Sequence, residues 1–390
     1  MTPAARTQAA IELLDAVIDA ARGNGAAADT LITRYFATRR YAGSKDRRAV
    51  RDLVYAAIRR AGEVPASGRA AMLAVAADDP AVAATFDGSN HGPAPIATGE
   101  TVATGGVMPA WLGDALAASG IAADRQAALI GRAPLDVRVN RLLADPREIA
   151  GRLGGEPFPG LPDALRLPSG TNVEAFSGQV EVQDAGSQIV SLAARAEPEQ
   201  AIVDLCAGGG GKTLALAAAM ANRGRILATD IDRARLSRLA PRAEKAGVTI
   251  VETRLLDPKR ETEALADWQD RADSVLIDAP CSGTGTWRRN PEARWRLNPD
   301  RLGRFTEQQR HVLDVGANLV RPGGAIVYIV CSLLDAEGAG QVDAFLAAHP
   351  GWQADPLTLP AGTAHGAGIR LEPARDGTDG FFVARLIRPC

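Results

Sequence analysis

At 390 residues the chain exceeds what one hydrophobic core usually organises, so two or three domains are expected. A hydrophobic fraction of 46% and a charged fraction of 23% are ordinary for a folded soluble protein, and a formal net charge of -2 excludes recruitment of a polyanion by overall charge. Four cysteines, Cys206, Cys281, Cys331 and Cys390, show neither CxxC spacing nor a neighbouring His pair, which argues against a metal site and a disulfide framework and fits a reducing cytoplasm.

The first twenty residues are amphipathic, but Glu12, Asp15 and Asp19 interrupt them and leave no signal-peptide core. No later run reaches membrane-spanning length, so no membrane partner is expected. From about residue 8 to 80 the apolar positions recur at helical spacing, with Ile11, Leu14, Val17 and Ile18 on one face and Val50, Leu53, Val54 and Ile58 on another. Within this helical region Arg34, Arg39, Arg40, Lys45, Arg47, Arg48, Arg51, Arg59 and Arg60 outnumber Asp46 and Asp52, with Tyr35, Phe36, Tyr41 and Tyr55 interleaved. That composition reads as a phosphate-contacting face, with a solvated helix surface as the plain alternative. Residues 79–109 turn rich in Ala, Gly, Pro and Thr, as a linker does, and place a boundary there. Beyond it come a short helix over 111–118, a strand over 136–140, a helix over 147–153 and mixed Pro/Gly turns to Gly178, together a small α/β subdomain.

From Gln183 onward, apolar runs at 201–205, 225–229, 248–252, 274–278, 325–331 and 381–387 alternate with helical stretches, which predicts a parallel sheet covered on both faces. Ligands on such sheets sit at the carboxyl ends of strands, where Asp230, Asp278, Cys331 and a glycine turn, Asp204-Leu-Cys-Ala-Gly-Gly-Gly-Gly-Lys-Thr213, all fall. Glycines let the backbone approach a ligand and present amides at the start of the next helix. A Walker loop would need Gly where Cys206 stands, and a dinucleotide fingerprint would need Gly where Thr213 stands, so both nucleotide readings fail. A carboxylate about twenty residues on, Asp230, is placed to accept the hydroxyls of a ribose. S-adenosylmethionine, a ribose-bearing ligand without a polyphosphate, satisfies these facts. Asp257 after the third strand is a second candidate for the same pocket; each aspartate on its own also reads as a helix N-cap.

Cys281 in Asp278-Ala-Pro-Cys-Ser-Gly-Thr-Gly285 and Cys331 in Tyr328-Ile-Val-Cys-Ser-Leu333 each end an apolar run. Cytosine carbon-5 is too weak a nucleophile to take a methyl group directly, and a thiolate added at carbon-6 loads electron density onto it. A free thiol ionises near pH 8.5, so such a site must lower that value or supply a base. Asp278 could hold the exocyclic amine and the adjacent ring nitrogen. A lone strand-end cysteine is as readily a packing residue; two of them with a carboxylate beside a cofactor turn favour chemistry.

These segments, with Val182-Gln-Asp-Ala-Gly-Ser-Gln188 and Asp379-Gly-Phe-Phe-Val-Ala-Arg385, resemble the RsmB/Sun family of RNA cytosine-5 methyltransferases over roughly residue 182 to the end. The resemblance implies an α/β, doubly wound, Rossmann-like methyltransferase domain at 181–390. Ahead of it come an all-α NusB-like RNA-binding domain with linker at 1–130, suggested by Arg40-Tyr-Ala-Gly-Ser-Lys-Asp-Arg-Arg48, and a small RNA-recognition-like α/β subdomain at 131–180. It also implies that Cys331 is the nucleophile and that Cys281 assists release of the methylated base. The S-adenosylmethionine pocket is then lined by Cys206, Ala207, Gly208, Gly209, Gly210, Gly211 and Lys212 with Asp230, Asp257 and Asp278. The family usually carries Pro where Gly209 stands, so a looser loop is expected. The partner is RNA, ribosomal by analogy alone, with no obligate protein partner. The cluster Trp287-Arg-Arg-Asn-Pro-Glu-Ala-Arg-Trp-Arg296 is expected to grip the nucleotides flanking a flipped base. Three rivals stand beside this reading: a DNA cytosine-5 methyltransferase using the Pro280-Cys281 pair, a non-catalytic RNA-binding assembly factor, and, more distantly, a P-loop ATPase.

Overall fold

Thr2 starts the first helix, its hydroxyl accepting the Ala5 amide at 3.1 Å, with Pro3 at the first helical position where a missing N–H costs nothing. The computed structural model describes residues 1–23 and 25–390 and divides into two units. The first comprises Met1–Arg132 with Thr286–Asn298, the second Ala133–Gly285 with Pro299–Cys390.

In the first unit, helices α1 (Pro3–Arg22), α2 (Ala28–Ala37), α3 (Ser44–Arg60) and α4 (Gly68–Asp78) bury the periodic residues of the sequence pattern, Leu14, Val17, Ile18, Val50, Val54 and Ile58 among them. Gly68 is required where α4 meets α1, because a Cβ there would lie 2.2 Å from the Ile11 carbonyl oxygen. The segment Thr286–Asn298 completes this core and corrects the expectation of an RNA grip. Trp287, Arg294 and Trp295 are buried; Arg294 Nη2 donates to the carbonyls of Ile58 at 2.6 Å and Ala61 at 2.7 Å, and Trp295 Nε1 donates to Ala61 at 3.2 Å. Arg296 likewise donates to the Gly25 and Ala26 carbonyls at 2.7 and 2.6 Å. Helix ends leave carbonyls without intrahelical partners, and buried guanidinium groups satisfy them here, so these side chains are unavailable to a nucleotide.

The basic stretch of the first unit is split in the same way. Arg51 pairs with Asp29 at 2.9 Å, Arg60 with Asp78 at 2.6 Å, and Arg59 donates to the Ile130 carbonyl at 3.1 Å. Arg34, Arg40, Lys45 and Arg48 stay exposed beside Tyr41.

In the second unit a small antiparallel sheet forms from β1 (Leu135–Val139), β2 (Glu156–Phe158), β3 (Leu161–Leu167) and β4 (Val180–Val182), in the order β2-β3-β1-β4. The predicted strand and helix lie within a residue of β1 and of the helix Pro146–Leu153, which Asp145 caps at 2.7 Å through the Arg147 amide. The stretch expected as turns supplies β2 and β3, and β4 follows just after it.

The large sheet contains β5 (Ala201–Asp204), β6 (Arg225–Asp230), β7 (Val251–Leu255), β8 (Ala272–Asp278), β9 (Val320–Val330), β10 (Gln353–Ala354), β11 (Thr363–His365), β12 (Gly368–Leu371) and β13 (Phe381–Ile387). Among the described residues the path runs β11-β12-β13-β9-β8-β5-β6-β7, with β10 beside β13. Strands β5 to β9 pair in parallel, whereas β13 runs antiparallel to β9, so the fully parallel sheet expected from the sequence is corrected at that edge. A strand covered on both faces reads as the same apolar run in either direction. The third strand begins three residues later than predicted because Val248 belongs to the preceding helix end, where Gly247 at φ 66° turns the chain and the Val248 amide returns to the Ala243 carbonyl at 2.9 Å. After β7 the chain crosses to the other side of β5, so a topological switch lies between β5 and β8 and opens a crevice at their carboxyl ends. Among the described residues no helix is long and apolar enough to cross a membrane.

Candidate active site

The crevice is built from four strand ends, those of β5, β6, β8 and β9, and the turn after the first of them. Following Asp204 the chain bends through Gly208 at φ 56° and Gly210 at φ 84°; a Cβ on Gly210 would lie 2.1 Å from Leu239 Cδ1. The Gly208 amide donates to Asp230 Oδ2 at 2.8 Å, and the Asp232 amide donates to Asp230 Oδ1 at 2.8 Å, which holds that carboxylate at the end of β6. Thr213 Oγ1 donates to Asp204 Oδ2 at 2.6 Å. The Gly209 carbonyl is gripped by Arg242, whose other nitrogen pairs with Glu181 of β4 at 2.6 Å. The looser loop expected from Gly209 is therefore held by a guanidinium instead of a ring.

Lys212, in the first turn of the helix Gly211–Ala219, reaches Asp278 at the end of β8 with Nζ 2.7 Å from Oδ2. Burial pulls the Lys212 ammonium down, but the Asp278 charge and hydrogen bond outweigh it and the net shift is upward, so the lysine is a fixed cation. Cys281 lies in the loop after β8 and Cys331 directly follows β9. Because those strands are parallel neighbours, the two thiols meet with Sγ atoms 3.3 Å apart. The Gly285 amide donates to the Cys331 carbonyl at 3.0 Å and ties the two loops together. The hydrogen bond with Cys331, then burial, hold the Cys281 thiol well above its ordinary value, and burial does the same to Cys206.

A cavity of about 780 Å³ has Cys206, Asp230, Ile231, Asp278, Cys281 and Cys331 on its wall. A smaller one of about 190 Å³, lined by Asp204, Ala207, Gly209, Gly211, Lys212 and Arg242, shares Cys206, Arg235 and Asp278 with it. The structure thus gathers almost every residue singled out in the sequence. Gly208 and Gly210 shape the turn without lining either cavity, and Asp257 stands outside: its neighbours Leu256 and Pro258 line the larger cavity and its own exposed side chain does not. Ile231 is a wall residue that the sequence reading missed. It is 57% exposed directly after the Asp230 carboxylate, an apolar side chain left open to the cavity.

The donor set suits S-adenosylmethionine. Asp204 is fully buried, and among the described residues its Oδ1 has no hydrogen-bond partner, which is the position a ligand ammonium would satisfy. Burial lifts the Asp204 carboxyl to about 7, with the Thr213 hydroxyl opposing. In the unliganded protein this acid therefore binds a proton when folded at pH values where the unfolded chain, near 3.8, has lost it. Its contribution is most favourable below pH 3.8 and falls as pH rises to about 7. The ligand-free Asp204→Asn variant is expected to lose less Tm between pH 5 and pH 7 than the parent; equal slopes in a thermal-melt series would contradict this account.

A doubly wound sheet with a glycine turn at its switch point, a carboxylate closing the next strand and two thiols past the adjoining strands is the architecture of a Rossmann-like methyltransferase. Residues 191–387 match the family model described as 16S rRNA methyltransferase RsmB/F. The chain belongs to this family, whose methyl donor is S-adenosylmethionine. It is 34% identical over 267 residues to a probable ribosomal RNA small subunit methyltransferase B of Synechocystis, covering 65% of this chain and 59% of that one. It is 37% identical over 210 residues to a ribosomal RNA small subunit methyltransferase B of Thermus thermophilus, covering 54% and 50%. The chain thus spans about three-fifths of the length of the first curated relatives it matches. Among solved structures, PH0851 superposes with a TM-score of 0.77 at 25% identity over 99% of both chains. The NSun6 of Pyrococcus horikoshii shares the fold, with a TM-score of 0.64 at 19% identity over 72% of this chain and 98% of that one.

Proposed function

We propose that this protein methylates carbon-5 of cytosine in ribosomal RNA through a covalent adduct between Cys331 and carbon-6 of the base. The observation that carries the reading is the meeting of the Cys281 and Cys331 thiols, 3.3 Å apart, on the wall of the cavity that Asp230 and Asp278 also line. Bound S-adenosylmethionine would supply an electrophilic methyl group, with Asp230 holding its ribose, Ile231 flanking its base and Asp204 taking its ammonium.

The chain's own residues do the rest. The Cys331 thiolate forms a bond to carbon-6, and the displaced electron pair makes carbon-5 nucleophilic. Asp278 accepts hydrogen bonds from the edge of the base while Lys212, 2.7 Å from it, keeps a positive charge beside the developing negative charge on the ring. Once carbon-5 is methylated a water takes its proton, the electrons of that C–H bond restore the carbon-5–carbon-6 double bond, and the carbon-6–sulfur bond breaks with its electron pair leaving on the Cys331 sulfur. Cys281, held as a protonated thiol against Cys331, assists this release. In the same reading residues 181–390 carry the chemistry, the small subdomain at 131–180 and the helical domain at 1–130 present the RNA, and the exposed Arg34, Arg40, Lys45 and Arg48 contact phosphates. Ribosome assembly in the cytoplasm is the setting.

Bisulfite sequencing of 16S rRNA from cells with and without the protein tests this directly, with purified protein and radiolabelled donor as the second arm. One cytosine is expected to lose protection in its absence. Unchanged protection together with no label transferred to small-subunit RNA would overturn the proposal and leave the RNA-binding assembly factor.

A further inference from the structure

Six residues after Cys331 stands Glu337, fully buried, with no cation paired to its carboxylate among the described residues. A charge in such a place is costly unless its lone pairs are filled, and here they are. Oε1 accepts the Ser282 amide at 2.8 Å and Gln309 Nε2 at 3.1 Å. Oε2 accepts the Ser282 hydroxyl and, at 2.5 Å, the Ser332 hydroxyl. Ser282 is the residue after Cys281 and Ser332 is the residue after Cys331. Gln309 Nε2 also donates to the Pro280 carbonyl at 2.9 Å, so Cys281 is tied to the hub on both sides. The Tyr328 hydroxyl, on β9, donates to the Glu337 carbonyl at 2.6 Å and anchors the hub to the sheet.

We propose that Glu337 is a positioning residue that sets the spacing of Cys281 and Cys331 and so allows Cys281 to act on the adduct formed at Cys331. An ionised carboxylate suits this place because it only accepts: four donors from two loops and one helix converge on two oxygens, each bond strengthened by charge. A glutamine would offer one oxygen and turn an NH2 group toward donors. The negative charge also opposes ionisation of Cys281, adding to the larger effects of the Cys331 hydrogen bond and burial, so the hub keeps Cys281 a proton-carrying partner and not a competing nucleophile. This inference rests on the covalent reading above, and its test separates the two.

The measurement is made on the full chain with Glu337→Gln. Without RNA, diamide oxidises two adjacent thiols to a disulfide and is itself reduced to the hydrazine, so the rate of Cys281–Cys331 linkage, read by mass spectrometry, reports their spacing whatever the enzyme does. The variant is expected to form that disulfide at least ~10-fold more slowly, to lose about 10- to 100-fold in kcat with S-adenosylmethionine affinity within about twofold, and to accumulate a covalent RNA species as Cys281→Ala does. Ser332→Ala, which keeps the carboxylate and frees one loop, takes the same measurements with a smaller loss and stands in if the glutamine variant does not fold. Parental disulfide and turnover rates in both variants overturn the proposal, as does a loss of cofactor affinity that parallels the loss of turnover. Slower disulfide formation with no covalent RNA species from Cys281→Ala upholds the spacing role and sinks the covalent mechanism instead.

Discussion

Cys331→Ala is expected to abolish methyl transfer, with a loss of roughly 10³-fold or more in kcat, because the proposed mechanism takes its nucleophile from this sulfur and the other two thiols on the cavity wall, Cys206 and Cys281, are both pushed toward the protonated form. Cys281→Ala is expected to fail differently. It leaves the nucleophile in place and removes the neighbour 3.3 Å away, so a protein–RNA species stable in denaturing gels accumulates while released product falls. The asymmetry arises from the fold. Cys331 sits on the first residue past β9, a central strand anchored on both sides, whereas Cys281 sits in a loop and bears a thiol kept protonated by its partner and by burial. Transfer assays and denaturing gels on the two variants measure both quantities. Covalent RNA on Cys331→Ala, with none on Cys281→Ala, would move the nucleophile to the Pro280-Cys281 pair and support the rival mechanism.

The second large effect is expected at Asp278→Asn. The carboxylate lies at the end of β8 with one oxygen committed to Lys212 at 2.7 Å and its side chain still 32% exposed toward the cavity. Replacement by an amide removes the acceptor for the base edge and leaves a buried ammonium without its counter-charge, a combination that general acid–base sites register as about 10²- to 10⁴-fold in rate. The loss should appear in single-turnover kcat with saturating donor, while donor affinity, which the proposed reading places mainly at Asp230 and the glycine turn, moves by less than about tenfold. A variant with parental single-turnover rates would show that Asp278 only pairs with Lys212 and takes no part in the reaction.

Much of this architecture was legible in the residues. Helical periodicity in α1 and α3 marked the buried face of the first unit, because a helix must hide one stripe whatever it packs against. The glycine turn, Asp230, Asp278 and Cys331 were recognisable at strand ends because an apolar run that stops at a polar residue marks the edge of the sheet. Trp287–Arg296 misled for a physical reason. Aromatic and guanidinium groups that suit a nucleotide equally suit the carbonyls at a helix end, and only the fold shows that Arg294 serves Ile58 and Ala61. In the basic stretch around Arg40, Arg51 and Arg60 are engaged by carboxylates and Arg59 by a carbonyl of the same unit, whereas Arg34, Arg40, Lys45 and Arg48 are exposed, a division the spacing of charges does not show.

Residue types and their order along the chain determined the chemistry on offer here: a glycine turn without a polyphosphate signature, a carboxylate one strand later, and cysteines closing two apolar runs. Those are local properties, carried by a few neighbours in sequence, and they pointed to the family that the comparisons bear out. Which strand runs antiparallel, which of the aspartates faces the cavity, and how a glutamate six residues past Cys331 comes to hold a loop fifty residues earlier were decided by tertiary structure alone. Sheet order, burial and the convergence of hydrogen bonds on Glu337 join residues far apart in the chain, and no periodicity or spacing in the sequence encodes which of them meet.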